Sequence, residues 1–188
     1  MQTEEINRAL QVLRNGGIIL YPTDTIWGIG CDATNELAVN KIKSIKQRAG
    51  SKSFVVLMNS TAMVERYTTD VPEIGFELFD VADEPLTLIL PGARNLAADI
   101  IASDGSVGIR IPKHDTCIAL INRLGKPLVS TSANISGMSS PANFREIPES
   151  IIRSVDYIIK EGENQKASGK PSSIIKVQAG GVIKIIRE

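Results

Sequence analysis

The chain has little of what many familiar chemistries require. Of its 188 residues only one is histidine and two are cysteine. His114 alone cannot furnish the ligands of a zinc site. Cys31 and Cys117 are too few for a disulfide framework, and neither stands in a CxxC. An excess of one charge is missing as well: 21 Lys and Arg face 21 Asp and Glu, a net charge of +0 at pH 7. No global field then draws the chain to nucleic acid, and any polyanion contact has to come from a local patch. Aromatic residues make up 4%, few for a surface that would stack bases. No apolar run nears the roughly 20 residues of a membrane-spanning helix. The opening Met1-Gln2-Thr3-Glu4-Glu5 lacks the basic-then-apolar pattern of a signal peptide. These absences predict a cytoplasmic domain with no metal site of its own, no disulfide and no membrane contact. With 43% hydrophobic residues, the length suits one domain, residues 1–188, with a substantial core.

What is present alternates between helical and strand patterns. Thr3 reads as the cap of a helix with Ile6, Ala9, Leu10 and Leu13 on its inner face, ended by Gly16-Gly17. Ile18 to Tyr21 reads as a buried strand stopped by Pro22. Asn35 caps a second helix carrying Ala38, Val39, Ile42 and Ile45 inward. Strands follow at Phe54–Met58, Leu86–Leu90, Val107–Ile111 and Leu128–Val129. Ser60 and Pro72 open helices, and another runs from Asp115 to Leu124. After a Ser-, Gly- and Pro-rich loop from Ser136 to Asn143 come a short helix near Pro148–Ser154 and a strand at Tyr157–Ile159. A hairpin of Ser173–Val177 and Val182–Ile186 closes around Gly180-Gly181. There is no internal repeat. This pattern predicts an α/β domain with a mixed, twisted sheet.

Four segments carry candidate chemistry. Between Lys41 and Lys52 lie five cations, Lys41, Lys43, Lys46, Arg48 and Lys52, and no acid. They read either as a solvated helix face or as a phosphate clamp, with Arg48 as a planar fork and the lysines as movable point charges. The Tyr21 to Gly30 segment reads as a strand and a Pro- and Gly-punctuated loop, its threonines capping a turn or facing a ligand, with Trp27 as wall or core. In Val107-Gly108-Ile109-Arg110-Ile111 the alternation puts Arg110 opposite the apolar face. An unpaired buried charge costs several kcal/mol. Arg110 is thus on an exposed face, in a structural ion pair, or on a ligand. Ser130 to Ser136 concentrates four hydroxyls and a carboxamide, groups suited to a nucleotide or to a helix N-cap.

Taken together, these segments resemble the YrdC/Sua5 family, in the motifs from Tyr21 to Gly30, Lys46 to Arg48, Val107 to His114, Ser132 to Asn134 and Lys170 to Ile174. The resemblance runs from Ile18 to Arg187. It implies a YrdC-like fold, a twisted sheet of parallel and antiparallel strands with flanking helices and an open concave cleft, in the short, single-domain form. It implies the synthesis of L-threonylcarbamoyladenylate and pyrophosphate from L-threonine, bicarbonate or CO2, and ATP, for the t6A modification of tRNA. By resemblance Thr25, Arg110, Ser130 and Ser172 bind L-threonine, and Arg110 holds its carboxylate. Lys46, Arg48, Lys52, Ser106, Ser132, Asn134 and Arg187 bind ATP. Lys46, Arg48 and Arg110 act by positioning, with no catalytic nucleophile assigned. Mg2+ accompanies ATP, no organic cofactor is tightly held, and the partners are tRNA-modification proteins that accept the adenylate. The chain departs from the family pattern at Ala49 and Ser53, where prolines are usual, at Ala82-Asp83-Glu84-Pro85, and at Leu57, where some relatives carry a histidine beside threonine. His114 is expected to be structural. The alternatives are a double-stranded RNA or ribosome-binding module using Lys41–Lys52, which would also be the place of any weak RNA contact, and a related carbamoyl-transfer domain.

Overall fold

The computed structural model describes residues 2–47, 54–160 and 167–188. Along the chain come α1 (Gln2–Arg14), β1 (Ile19–Tyr21), β2 (Gly28–Gly30), α2 (Glu36–Ile45), β3 (Val55–Leu57), α3 (Thr61–Tyr67), α4 (Glu73–Val81) and β4 (Leu86–Leu90). Then follow β5 (Val107–Arg110), α5 (Asp115–Leu124), β6 (Leu128–Ser132), α6 (Glu149–Ile152), β7 (Tyr157–Ile158), β8 (Ser173–Val177) and β9 (Ile183–Arg187). The strands form one nine-stranded sheet in the order β7-β1-β2-β6-β3-β5-β4-β8-β9. Pairing is mixed: β3 runs parallel to β5 and β4 to β8, while β6 is antiparallel to both β2 and β3.

The helices form where the apolar spacing and caps dictate. Ile6, Ala9, Leu10 and Leu13 of α1 and Ala38, Val39 and Ile42 of α2 are buried in one common core. Asn35 caps α2 by accepting from the Ala38 amide, and Ser60 caps α3 by accepting from Met63; each such cap is worth about 1 kcal/mol. Gly125, at φ 71°, ends α5 in the left-handed conformation. No described helix is long and apolar enough to cross a membrane.

Three expectations are corrected. Thr3 lies inside α1, whose described range begins at Gln2, rather than ahead of it. Gly28–Gly30 is a strand rather than part of a loop. Two glycines carry little strand propensity, yet tertiary packing requires one of them: a Cβ on Gly30 would lie 2.5 Å from the Val129 carbonyl oxygen and 2.7 Å from Tyr21 Cε1. Close approach of β1, β2 and β6 thus excludes any side chain there. Last, Ser130 and Ser132 are strand residues, since β6 continues to Ser132 and a turn, not a helix, follows. The N-cap reading of that segment fails.

Candidate active site

A cavity of about 540 Å³ opens on the sheet, lined by residues from segments far apart in the chain. Of the residues the sequence pointed to, Thr25, Arg110, Ser130, Ser132, Ser172 and Arg187 all face it, and Trp27 is part of its wall. Strand order explains the convergence. β2, β6, β3, β5, β4, β8 and β9 are successive neighbours, so alternate side chains of several strands share one face. Gly28 keeps that face open at the β2 end, where a Cβ would sit 3.3 Å from Ser130 Oγ.

The connection between β1 and β2 is held by its own hydroxyls. Thr23 Oγ1 donates to the Ile26 carbonyl at 2.7 Å and accepts from the Thr25 amide at 3.1 Å. The two threonine hydroxyls are themselves 2.9 Å apart. A later segment clamps it: the Ser168 amide donates to the Asp24 carbonyl at 2.9 Å and the Gly169 amide to the Thr25 carbonyl at 3.0 Å. From that segment the chain continues to Ser172, whose Oγ is 2.7 Å from Thr87 Oγ1. Thr87 is the register partner of Arg110 across β4 and β5.

Arg110 is 4% exposed and is not on an open sheet face. Its Nη1 pairs with Asp24 Oδ1, and Asp24 is itself only 6% exposed. Asp24 is not among the sequence candidates, although a mid-strand arginine needs an acid and Thr23-Asp24-Thr25 offers one. Arg110 is in an ion pair, one of the sequence expectations, and it also lines the cavity. Leu57 is fully buried, in register with Arg110 across β3 and β5.

Lys46 sits just past α2, where its Nζ donates to the Ser132 carbonyl at 2.5 Å and the Asn134 carbonyl at 2.7 Å. It thereby ties the end of α2 to the turn after β6. Asn134 braces the same turn, its Nδ2 donating to the carbonyls of Ile135 at 3.0 Å and Met138 at 2.6 Å. Its Oδ1 is buried with no hydrogen-bond partner among the described residues. Neither residue is among those lining the cavity. Arg48 and Lys52 lie outside the described residues. Trp27 packs on Phe144 with ring centroids 5.0 Å apart.

At the other end, Arg187 donates from Nε at 3.0 Å and Nη2 at 2.6 Å to the Ser172 carbonyl. The β8–β9 register slips here: Ile174 faces Arg187 and Ile175 faces Ile185, leaving Ile186 as the extra residue. Such a bulge re-aims side chains, and Ile186 and Arg187 both line the cavity. Ser106 borders a second hollow of about 340 Å³ that shares Phe54, Val55, Ile89 and Ile174 with the first. There Asp104 accepts from Lys176 Nζ at 2.5 Å and from Ser106 Oγ at 2.6 Å. Those bonds, the lysine's first, hold its carboxyl well below the usual range. His114 is buried at the start of α5, as a structural histidine would be. Burial pushes the thiols of Cys31 and Cys117 far above their ordinary range, so neither supplies a thiolate.

Comparison with known proteins fits this geometry. The family model Sua5_yciO_yrdC, described as telomere recombination, matches residues 11–188. A putative threonylcarbamoyl-AMP synthase of Methanocaldococcus jannaschii is 36% identical over 98% of this chain and 88% of its own length. The threonylcarbamoyl-AMP synthase of Pseudoalteromonas translucida is 30% identical over 95% of this chain and 96% of its own. Among solved structures, P. abyssi Sua5 complexed with L-threonine superposes with a TM-score of 0.82 at 29% identity. That match covers 91% of this chain and 50% of the other, so the chain spans about half the length of Sua5.

Proposed function

The chain belongs to the Sua5/YciO/YrdC family, and from that premise we propose that it is an L-threonylcarbamoyladenylate synthase. Threonine's amine adds to CO2 with loss of a proton, or to bicarbonate with loss of water, to give an N-carboxylate. That carboxylate oxygen attacks the α-phosphorus of ATP, and the bond to the leaving pyrophosphate breaks. The substrate supplies its own nucleophile, so the protein's work is positioning and charge neutralisation, and holding reactants in attack geometry can contribute about 7–11 kcal/mol. The observation that carries the reading is the convergence of Thr25, Arg110, Ser130, Ser132, Ser172 and Arg187 on one cavity.

In this reading Arg110 holds the threonine carboxylate, and Thr25, Ser130 and Ser172 contact the rest of the amino acid. Ser106, Ser132 and Arg187 face the nucleotide. Lys46 and Asn134 act on it by fixing the turn after β6, and Arg48 and Lys52 meet the phosphates. Mg2+ enters with ATP. The adenylate passes to tRNA-modification proteins in the cytoplasm.

The test is incubation of the pure protein with L-threonine, labelled bicarbonate and MgATP. Pyrophosphate release that needs both threonine and bicarbonate, with label in an adenylate, is the expected result. ADP as product, or turnover indifferent to threonine, would overturn the reading.

A further inference from the structure

We propose that Asp24 is the positioning residue that aims Arg110 at the substrate carboxylate; this rests on the functional reading above. Asp24 lies behind the cavity rather than on it: its neighbour Thr25 and its partner Arg110 are lining residues, and Asp24 is not. Both of its carboxylate oxygens are engaged by one stretch of chain. Oδ1 accepts from Arg110 Nη1, and Oδ2 accepts from the Lys113 amide at 3.2 Å. The side chain therefore staples the β1–β2 connection to the exit of β5. Its backbone carbonyl accepts from Ser168, in the segment that leads to Ser172. Asp24 is thus a node joining the segments that carry Thr25, Arg110 and Ser172.

A guanidinium is a rigid planar fork with five donors. Pinning Nη1 from behind fixes the plane of that fork and leaves other donors for a ligand. Among the described residues Asp24 is the one hydrogen-bond acceptor of Arg110. The pair is also internally neutral, so Arg110 is compensated before substrate arrives and its buried charge is tolerable.

The experiment measures threonine and ATP binding by calorimetry, with KM values for both, on the full chain and on Asp24→Asn. Asn keeps the shape and an acceptor for Lys113 but removes the charge. Threonine affinity is expected to fall about tenfold or more, as for loss of a charge-assisted contact, while ATP affinity changes little. A second ligand, 1-aminopropan-2-ol, is threonine without its carboxylate. If Asp24 works through Arg110, its removal leaves affinity for this analogue unchanged, so the preference for threonine collapses. Equal losses for threonine, analogue and ATP would show a merely structural role and overturn the proposal. Should Asp24→Asn fail to fold, Asp24→Glu keeps the charge but displaces the fork by a methylene. Asp24→Glu is expected to show the same selective loss, and a folded Asp24→Glu with unchanged threonine affinity would overturn the proposal. Asp24→Asn should also cost little extra in an Arg110→Lys background, since both changes remove one interaction; full additivity contradicts the proposal. A wild-type chain that binds no threonine would defeat the functional reading and this inference together, whereas an active wild type with an indifferent Asp24 defeats the inference alone.

Discussion

The two ends of the cavity are built differently. At one end Thr25, Arg110 and Ser130 are buried side chains on or beside central strands. Arg110 is set by an ion pair and Thr25 by a hydroxyl contact with Thr23. At the other end Ile186 and Arg187 come from β9, the last strand of the sheet, whose five residues are all exposed. A central wall is held by neighbours on both sides, while an edge wall is held on one. The difference suits rigid contacts at the central wall and adjustable ones at the edge wall.

Substitutions at Arg110 break the comparison most severely. Arg110→Ala leaves Asp24 as a buried, uncompensated charge and is expected to lower unfolding free energy by about 3–5 kcal/mol, as read by urea titration. Arg110→Lys keeps the charge but loses the planar fork. It should retain most of the stability while threonine binding falls clearly.

Gly30→Ala tests the packing that the central wall depends on. The new Cβ would meet the Val129 carbonyl oxygen at 2.5 Å, and overpacking of this kind costs about 1–3 kcal/mol or more. A melting temperature equal to wild type would contradict the close approach of β2 and β6. The edge wall is expected to respond differently. Arg187→Ala should leave stability nearly unchanged while ATP affinity falls by roughly 1.5–3 kcal/mol, the range for hydrogen bonds to charged groups. Arg48→Ala should weaken ATP by a similar amount, roughly 1.5–3 kcal/mol, and unchanged affinity in calorimetry would return the Lys41–Lys52 run to a solvated surface. The smallest effect concerns Cys31 and Cys117. Both are fully buried with pKa values raised by desolvation, so iodoacetamide should modify neither until the protein is unfolded.

The central wall was also the less legible part in sequence. Helices α1 and α2 were readable because their apolar positions follow one period and, for α2, Asn35 marks the start. β4 and α5 were placed at their observed bounds, Leu86–Leu90 and Asp115–Leu124, because Pro85, Pro91 and Gly125 punctuate them. β2 is hard to read because Gly-Ile-Gly has almost no strand propensity; Tyr21 and the distant Val129 require its second glycine. β6 was read short because Ser130 to Ser132 are polar, and a strand that lines a cavity has no need of an apolar face. The sequence shows Arg110 as a residue in need of a partner, but no local period links it to Asp24, 86 residues away. Lys46 drew notice as a cation, whereas its described bonds to two carbonyls depend on how α2 meets the turn after β6.

The most direct test of distinct threonine and nucleotide contacts is a crossed titration. Threonine and ATP are each titrated calorimetrically into wild type, Arg110→Lys and Arg187→Ala. The account predicts that Arg110→Lys loses threonine affinity and keeps ATP, while Arg187→Ala loses ATP affinity and keeps threonine. Loss of both ligands in both variants, or threonine affinity intact in Arg110→Lys, would contradict it.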